Sequence, residues 1–173
     1  MLFRSPCLDL LEVDDLWIVE GIFDAIALVQ NGISAVAALS SNAFPEESLK
    51  ALVTARGGKK PKLVWALDNE PGAHKYTRSW VKRARELGFT CDAAQVSQPD
   101  GRKVDWNDLH QRWAFIDDEK ARAERIEKDL KEARHQGALL IAESAGDKAM
   151  LIYQWREREE FHFCFDSDRK SVV

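Results

Sequence analysis

Three short apolar runs, LWIV at 16–19, SAVAAL at 34–39 and KLVWAL at 62–67, recur along the chain, separated by segments whose apolar residues follow a helical period. That alternation constrains the fold more than any other feature. Each run is β-prone and uncharged in its interior, as strands covered on both faces must be. Between the first two, Ile22, Ile26 and Val29 share one helical face, and Gly32 supplies a C-terminal stop. Pro45 leads into a second helix around 46–56, closed by GGKKP. Tyr76, Trp80, Ala84 and Leu87 mark a third, over 73–87, ended by Gly88. FTCDAAQV supplies a fourth strand. Strands alternating with helices of this length wind into right-handed βαβ units. The expectation is an α/β fold: a compact, Rossmann-like parallel sheet of about four strands flanked by helices.

Past the sheet, Trp106, Leu109, Trp113 and Ile116 continue a helical stripe. The segment DDEKARAERIEKDLKEARH then alternates charge around a thin line of Ile126, Leu130 and Ala133, with Glu124–Lys128 and Glu127–Lys131 pairs one turn apart. This predicts a long charged surface or spacer helix. From Gly137 onward, ALLIA, AMLIYQW and EFHFCF read as short strands, with REREE as a turn between the last two. The expected organisation is a core at 1–112, a charged connecting helix at 113–136, and at 137–173 a small β-rich appendage or the start of a following domain. Because the sequence stops soon after a strand, it reads as cut from a longer protein.

The 173 residues are 45% hydrophobic and 31% charged, enough apolar material for a full domain. No run of eighteen apolar residues and no secretory leader pattern occurs, so the expectation is a cytoplasmic protein without a membrane partner. Cys7, Cys91 and Cys164 are far apart and form no C-x-x-C pair, which predicts free thiols rather than a zinc site. The net charge of −4 hides segregation: residues 50–85 carry ten basic side chains against only Asp68 and Glu70. A basic block around two acids suits a polyanion bound beside a metal.

In an open parallel sheet, ligands bind beyond the carboxyl ends of the strands. Glu20 directly follows LWIV, Asp68 and Glu70 follow KLVWAL, and Asp105 and Asp108 lie in KVDWNDL beyond the fourth strand. Three loops thus bring carboxylates to one edge. Like charges a few ångströms apart cannot all stay ionised unless a cation offsets them. Mg²⁺ suits such a place, because it prefers oxygen ligands and is often held by one or two carboxylates plus phosphates. Blander roles remain open. Asp68 and Glu70 could cap the next helix, Asp105 could sit in a turn, Asp108 could be an exposed helical residue, and Asp24 could face water.

IVEGIFDAIALVQNGISAVAALSS, LVWALDNEPGA and KVDWNDL together resemble the Toprim domain of bacterial-type primases, topoisomerases and related nucleases, over roughly residues 16–112. The likeness is greatest to primase-like Toprim domains of phages, plasmids and mobile elements. By this resemblance Glu20 matches the family glutamate, Asp68 and Glu70 its D-x-D, Asp105 and Asp108 a downstream D-x-N-D-L, and Asp24 a further acid in E-G-x-x-D. The resemblance implies nucleotidyl or phosphodiester chemistry with Mg²⁺ or Mn²⁺. Glu20 would be the catalytic acid or base, and Asp68, Glu70, Glu20 and Asp105 the metal ligands. Glu70 stands where the family has a second aspartate, and Pro71-Gly72-Ala73 stands where it has x-Ala-Gly.

Lys75, Arg78, Lys82 and Arg85 follow helical spacing just beyond the acids and form a basic stripe, read either as a solvated face or as a track for phosphates. The expected partners are single-stranded DNA or RNA and nucleotides, with any helicase activity in another domain or protein, because no G-x-x-x-x-G-K-[ST] loop occurs. The histidines form no ligand cluster, and the two tyrosines, one of them read as core, disfavour a topoisomerase nucleophile. Three functional readings stay open: a primase-type nucleotidyltransferase domain, a Toprim nuclease, and a catalytically silent binding module.

Overall fold

A computed structural model describes residues 3–4, 11–40, 43–98 and 101–155. The chain divides into two compact units, Met1–Ile141 and Ala142–Val173.

The first unit is built on a five-stranded sheet: β1 (Phe3–Arg4), β2 (Asp15–Val19), β3 (Ala35–Ala37), β4 (Lys62–Trp65) and β5 (Cys91–Ala93), in the order β1-β3-β2-β4-β5. β2, β3, β4 and β5 run parallel to one another, as the alternating pattern required. The two-residue β1 adds an antiparallel edge to β3 that the sequence pattern does not reveal.

Alternate residues of each strand serve opposite faces. Leu16 and Ile18 of β2 and Leu63 and Trp65 of β4 enter one core, roofed by α2 (Glu46–Ala55) through Leu49 and Leu52 and by α3 (Pro71–Glu86) through Trp80, Val81 and Ala84. Trp65 and Trp80 meet edge to face at 5.3 Å, with Phe44 against both. Trp17, Val19 and Val64 enter the other core, under α1 (Ile22–Gln30), α4 (Trp106–Ala114) and α5 (Glu119–Ile141).

The charged segment is a surface helix, and it is bound to the sheet rather than spanning solvent. Ile126 and Leu130 of α5 are half-buried against the second core, Ala133 is buried, and the Ala133 carbonyl accepts the Gln95 N–H at 2.8 Å. Arg134 reaches Asp15 at 2.8 Å and lies over the Trp17 ring, tying α5 to the starts of the strands.

Two expected strands are helical. All of ALLIA but its last residue continues α5, and AMLIYQW lies in α6 (Ala145–Trp155). Gly137 misled the pattern, since a glycine after a charged run normally marks a helix end. Here it sits inside α5 because a β-carbon there would lie 2.1 Å from the Ala93 carbonyl oxygen. In the second unit, α6 opens with Ser144 and Asp147 capping each other, Ser144 Oγ accepting the Asp147 N–H at 3.0 Å and Asp147 Oδ2 the Ser144 N–H at 3.1 Å. EFHFCF lies outside the described residues. No described helix is long and apolar enough to cross a membrane.

Candidate functional site

The three acid-bearing loops leave the same edge of the sheet, because β2, β4 and β5 run parallel and their C-terminal ends lie side by side. Glu20 is half-buried at the end of β2, and its carbonyl accepts the Leu39 N–H at 3.1 Å, joining the β2 and β3 exits. Leu39 has φ 62°, left-handed backbone that costs a branched residue about 1–2 kcal/mol.

Asp24 does not face water. In the first turn of α1 it is 7% exposed, and its Oδ1 accepts the Asn107 N–H at 3.1 Å, linking α1 to the N-terminus of α4. Burial raises its pKa from 3.8 to about 6, and the charges of Asp105 and Asp68 add to the rise, while the N–H groups of Asn107 and Gly21 oppose it. A β-carbon at Gly21 would lie 2.7 Å from Asp24 Oδ2, so any larger residue there would require this carboxylate to shift.

Asp68 and Glu70 converge. Glu70 is the residue before α3, and its backbone is extended (φ −122°, ψ 146°), as the following Pro71 demands. Its side chain makes no capping bond, so the capping role is not taken up by Glu70. Instead Lys103 Nζ bridges the pair, 3.0 Å from Asp68 Oδ2 and 2.7 Å from Glu70 Oε1. Bonding first to Glu70 and then to Asp68 holds the lysine pKa above its ordinary range.

The residues around this pair are pinned. Asn69 Nδ2 donates to the Val96 carbonyl at 2.7 Å, and its Oδ1 accepts from His74 Nε2 at 2.7 Å, which fastens the β4–α3 loop to the exit of β5. Burial keeps the His74 pKa below its usual value, with Arg78 adding to the effect, so the neutral ring with its proton on Nε2 suits this bond. The Gln98 amide grips Val104 from both sides, accepting its N–H at 2.9 Å and donating to its carbonyl at 2.7 Å.

Asp105 and Asp108 form a reciprocal capping box on α4: Asp105 Oδ1 accepts the Asp108 N–H at 2.7 Å, and Asp108 Oδ2 accepts the Asp105 N–H at 3.2 Å. Asp108 is therefore half-buried and engaged rather than a free surface residue. The basic stripe is divided. All four side chains are exposed, but Arg78 Nε donates to the Leu140 carbonyl at 2.9 Å and Arg85 Nη2 to the Cys91 carbonyl at 3.4 Å, while Lys75 lies above the Tyr76 ring.

The charges of Asp68 and Asp105 thus both act on Asp24, and Asp68 and Glu70 share a cation. Among the described residues no three His, Cys, Asp or Glu side chains are gathered as a ready-made metal cage. The donors nevertheless suit a hard divalent ion, because two carboxylates already converge on one positive atom and Mg²⁺ commonly takes only one or two, completing its shell with water and phosphate. Sequence reasoning missed Lys103, Asn69, His74 and Gln98. A lysine in GRKVDW and an isolated histidine carry no pattern, and their roles exist only once separate loops meet.

A Toprim-like family model matches residues 17–110. Among solved structures, the chain is similar to the RNA polymerase domain of Mycobacterium tuberculosis primase DnaG, at 18% identity and a TM-score of 0.49, covering 83% of this chain and 47% of that one. It is also similar to the same domain in complex with a double-stranded DNA oligomer with a 6-nucleotide overhang, at 20% identity and a TM-score of 0.46, covering 82% of this chain and 44% of that one. The chain thus spans under half the length of these structures. No curated protein matches it. The family match covers more than half of the residues, on the strands and loops that carry the acids: the chain belongs to the Toprim-like family.

Proposed function

We propose that this domain performs nucleic-acid phosphoryl transfer of the primase type, dependent on Mg²⁺ or Mn²⁺ and acting on nucleotides and a single-stranded template as part of a larger replication protein. The observation that carries this reading is the convergence of Asp68 and Glu70 on one cation position at the exit of β4, in a Toprim-like chain. Toprim domains generally bind divalent ions. An ion held there would neutralise phosphate charge and lower the pKa of an attacking hydroxyl.

The chain's own residues supply the rest. Asp68 and Glu70 would hold the ion, with Glu20 and Asp105 completing its surroundings and Glu20 also serving as proton donor or acceptor. Asp24 orders the α4 N-terminus through its bond to Asn107. Exposed Lys75 and Lys82 would follow the phosphate backbone, while Arg78 and Arg85 divide their guanidinium groups between that task and the fold.

A silent binding module is the second reading, favoured by the same Lys103 bridge, which satisfies the two acids without a metal. Incubating the protein with single-stranded DNA, nucleoside triphosphates and Mn²⁺, beside Glu20→Gln, separates the readings. Metal-dependent primer synthesis lost in the variant supports the proposal. Strand cleavage selects a nuclease, and binding without turnover selects the silent module.

A further inference from the structure

Lys103 Nζ occupies the point on which the Asp68 and Glu70 carboxylates converge, and it comes from a different loop than the acids it joins. Its backbone is held: Val104 is buried and gripped by Gln98, Asp105 caps α4, and Trp106 Nε1 donates to the Ala66 carbonyl at 2.9 Å. Its side chain is 57% exposed, against 52% for Glu70 and 23% for Asp68. A fixed root with an exposed, flexible stem allows the ammonium to leave without unfolding anything.

We propose that Lys103 is an exchangeable internal counter-cation: it holds Asp68 and Glu70 together when no divalent ion is bound, yields that place to the ion, and then offers its ammonium to a phosphate of the nucleotide or strand. The inference deepens the proposed function and rests on its metal-dependent reading.

Charge balance argues for exchange over coexistence. Two carboxylates and one ammonium sum to one negative charge, so the bridged pair still attracts a divalent ion. With the ion in place the carboxylates are neutralised, and an ammonium within about 4 Å of a divalent cation is repelled. The displaced lysine then needs an anion, and the phosphates that complete the shell of such an ion are the nearest available class. Energetics permit the exchange as well. Exposed ion pairs contribute little, so surrendering this bridge is cheap, whereas breaking a buried pair strands a charge at high cost.

The test uses Mn²⁺ alone, titrated into the whole chain by calorimetry and by the electron paramagnetic resonance signal of free Mn²⁺. Lys103→Met and Lys103→Gln remove the competitor, and Arg102→Met makes the same charge change on the neighbouring exposed residue. The expected result is Mn²⁺ binding tightened about 3- to 10-fold by either Lys103 variant and less than about 2-fold by Arg102→Met. Inorganic tripolyphosphate added to the Mn²⁺-loaded proteins should bind several-fold more weakly to the Lys103 variants than to the parent. Equal tightening by Arg102→Met would reduce the effect to the general field and overturn the exchange. Unchanged Mn²⁺ affinity in the Lys103 variants overturns it too, while leaving the metal site standing. No Mn²⁺ binding by any of the proteins removes the metal reading itself, and the exchange with it.

Discussion

Gly137 of α5 faces the backbone of Ala93 in β5 so closely that a β-carbon on the glycine would lie 2.1 Å from the carbonyl oxygen and 2.2 Å from the carbonyl carbon. Backbone cannot step aside as a flexible side chain can. In an isolated helix Gly137→Ala would stabilise by about 1 kcal/mol. Here the sign reverses: we expect a loss of about 2–3 kcal/mol, read as a lower urea midpoint at unchanged slope. A variant at least as stable as the parent would show that α5 does not dock this tightly.

Asp105 serves α4 as its cap and the site as an acid, and two substitutions separate these roles. Asparagine keeps an oxygen for the Asp108 N–H, so Asp105→Asn should unfold within about 0.5 kcal/mol of the parent while losing several-fold in Mn²⁺ affinity. Asp105→Ala should also lose about 1 kcal/mol of stability. If asparagine leaves Mn²⁺ affinity untouched, Asp105 is a cap alone.

Asp24 makes the stability of the metal-free protein depend on pH in the direction opposite to that of an ordinary salt-bridged acid. Its folded pKa, about 6, lies above the 3.8 of an exposed aspartate, so folding takes up a proton between those values. That contribution therefore disfavours the fold progressively as pH rises from 4 to 6, reaching about 2–3 kcal/mol above pH 6. Denaturation in EDTA should show the parent gaining stability from pH 7.5 to 5 relative to Asp24→Asn, in which this component is absent. Parallel profiles would place Asp24 in a wetter setting than the structure gives it.

Lys75, Arg78, Lys82 and Arg85 are all exposed, but the two arginines also support carbonyls of the fold. Lys82→Glu should weaken single-stranded DNA binding by about 3- to 10-fold without changing stability, and flatten the salt dependence by about 0.7 in logarithmic slope for each phosphate no longer neutralised. Arg78→Ala should weaken binding and also cost about 1 kcal/mol through the Leu140 carbonyl. Fluorescence anisotropy across a salt series measures both, and an unchanged slope for Lys82→Glu would remove it from the interface.

Much of the fold was legible because burial on two faces demands unbroken apolar strands, and LWIV, SAVAAL and KLVWAL have no other use in a chain this rich in charge. Glu20, Asp68 and Glu70 were legible for a related reason, since a charge immediately after such a strand has to emerge at the sheet edge. The segment from 137 was misread because local pattern treats glycine as punctuation, while its real cause is a neighbour more than forty residues earlier in the chain. β1 escaped because two residues carry no period at all.

The sequence by itself determined the strand–helix alternation and which acids share an edge, because both follow from hydrophobic period and chain connectivity. Tertiary structure alone decided what those acids touch: Asp24 against Asn107, Asp105 against Asp108, and Asp68 with Glu70 around Lys103. Partners from separate loops leave no periodic trace, since side-chain contacts depend on where loops end in space. For the two acids of DNEP, the cation that their repulsion required is, in this fold, a lysine of the chain itself.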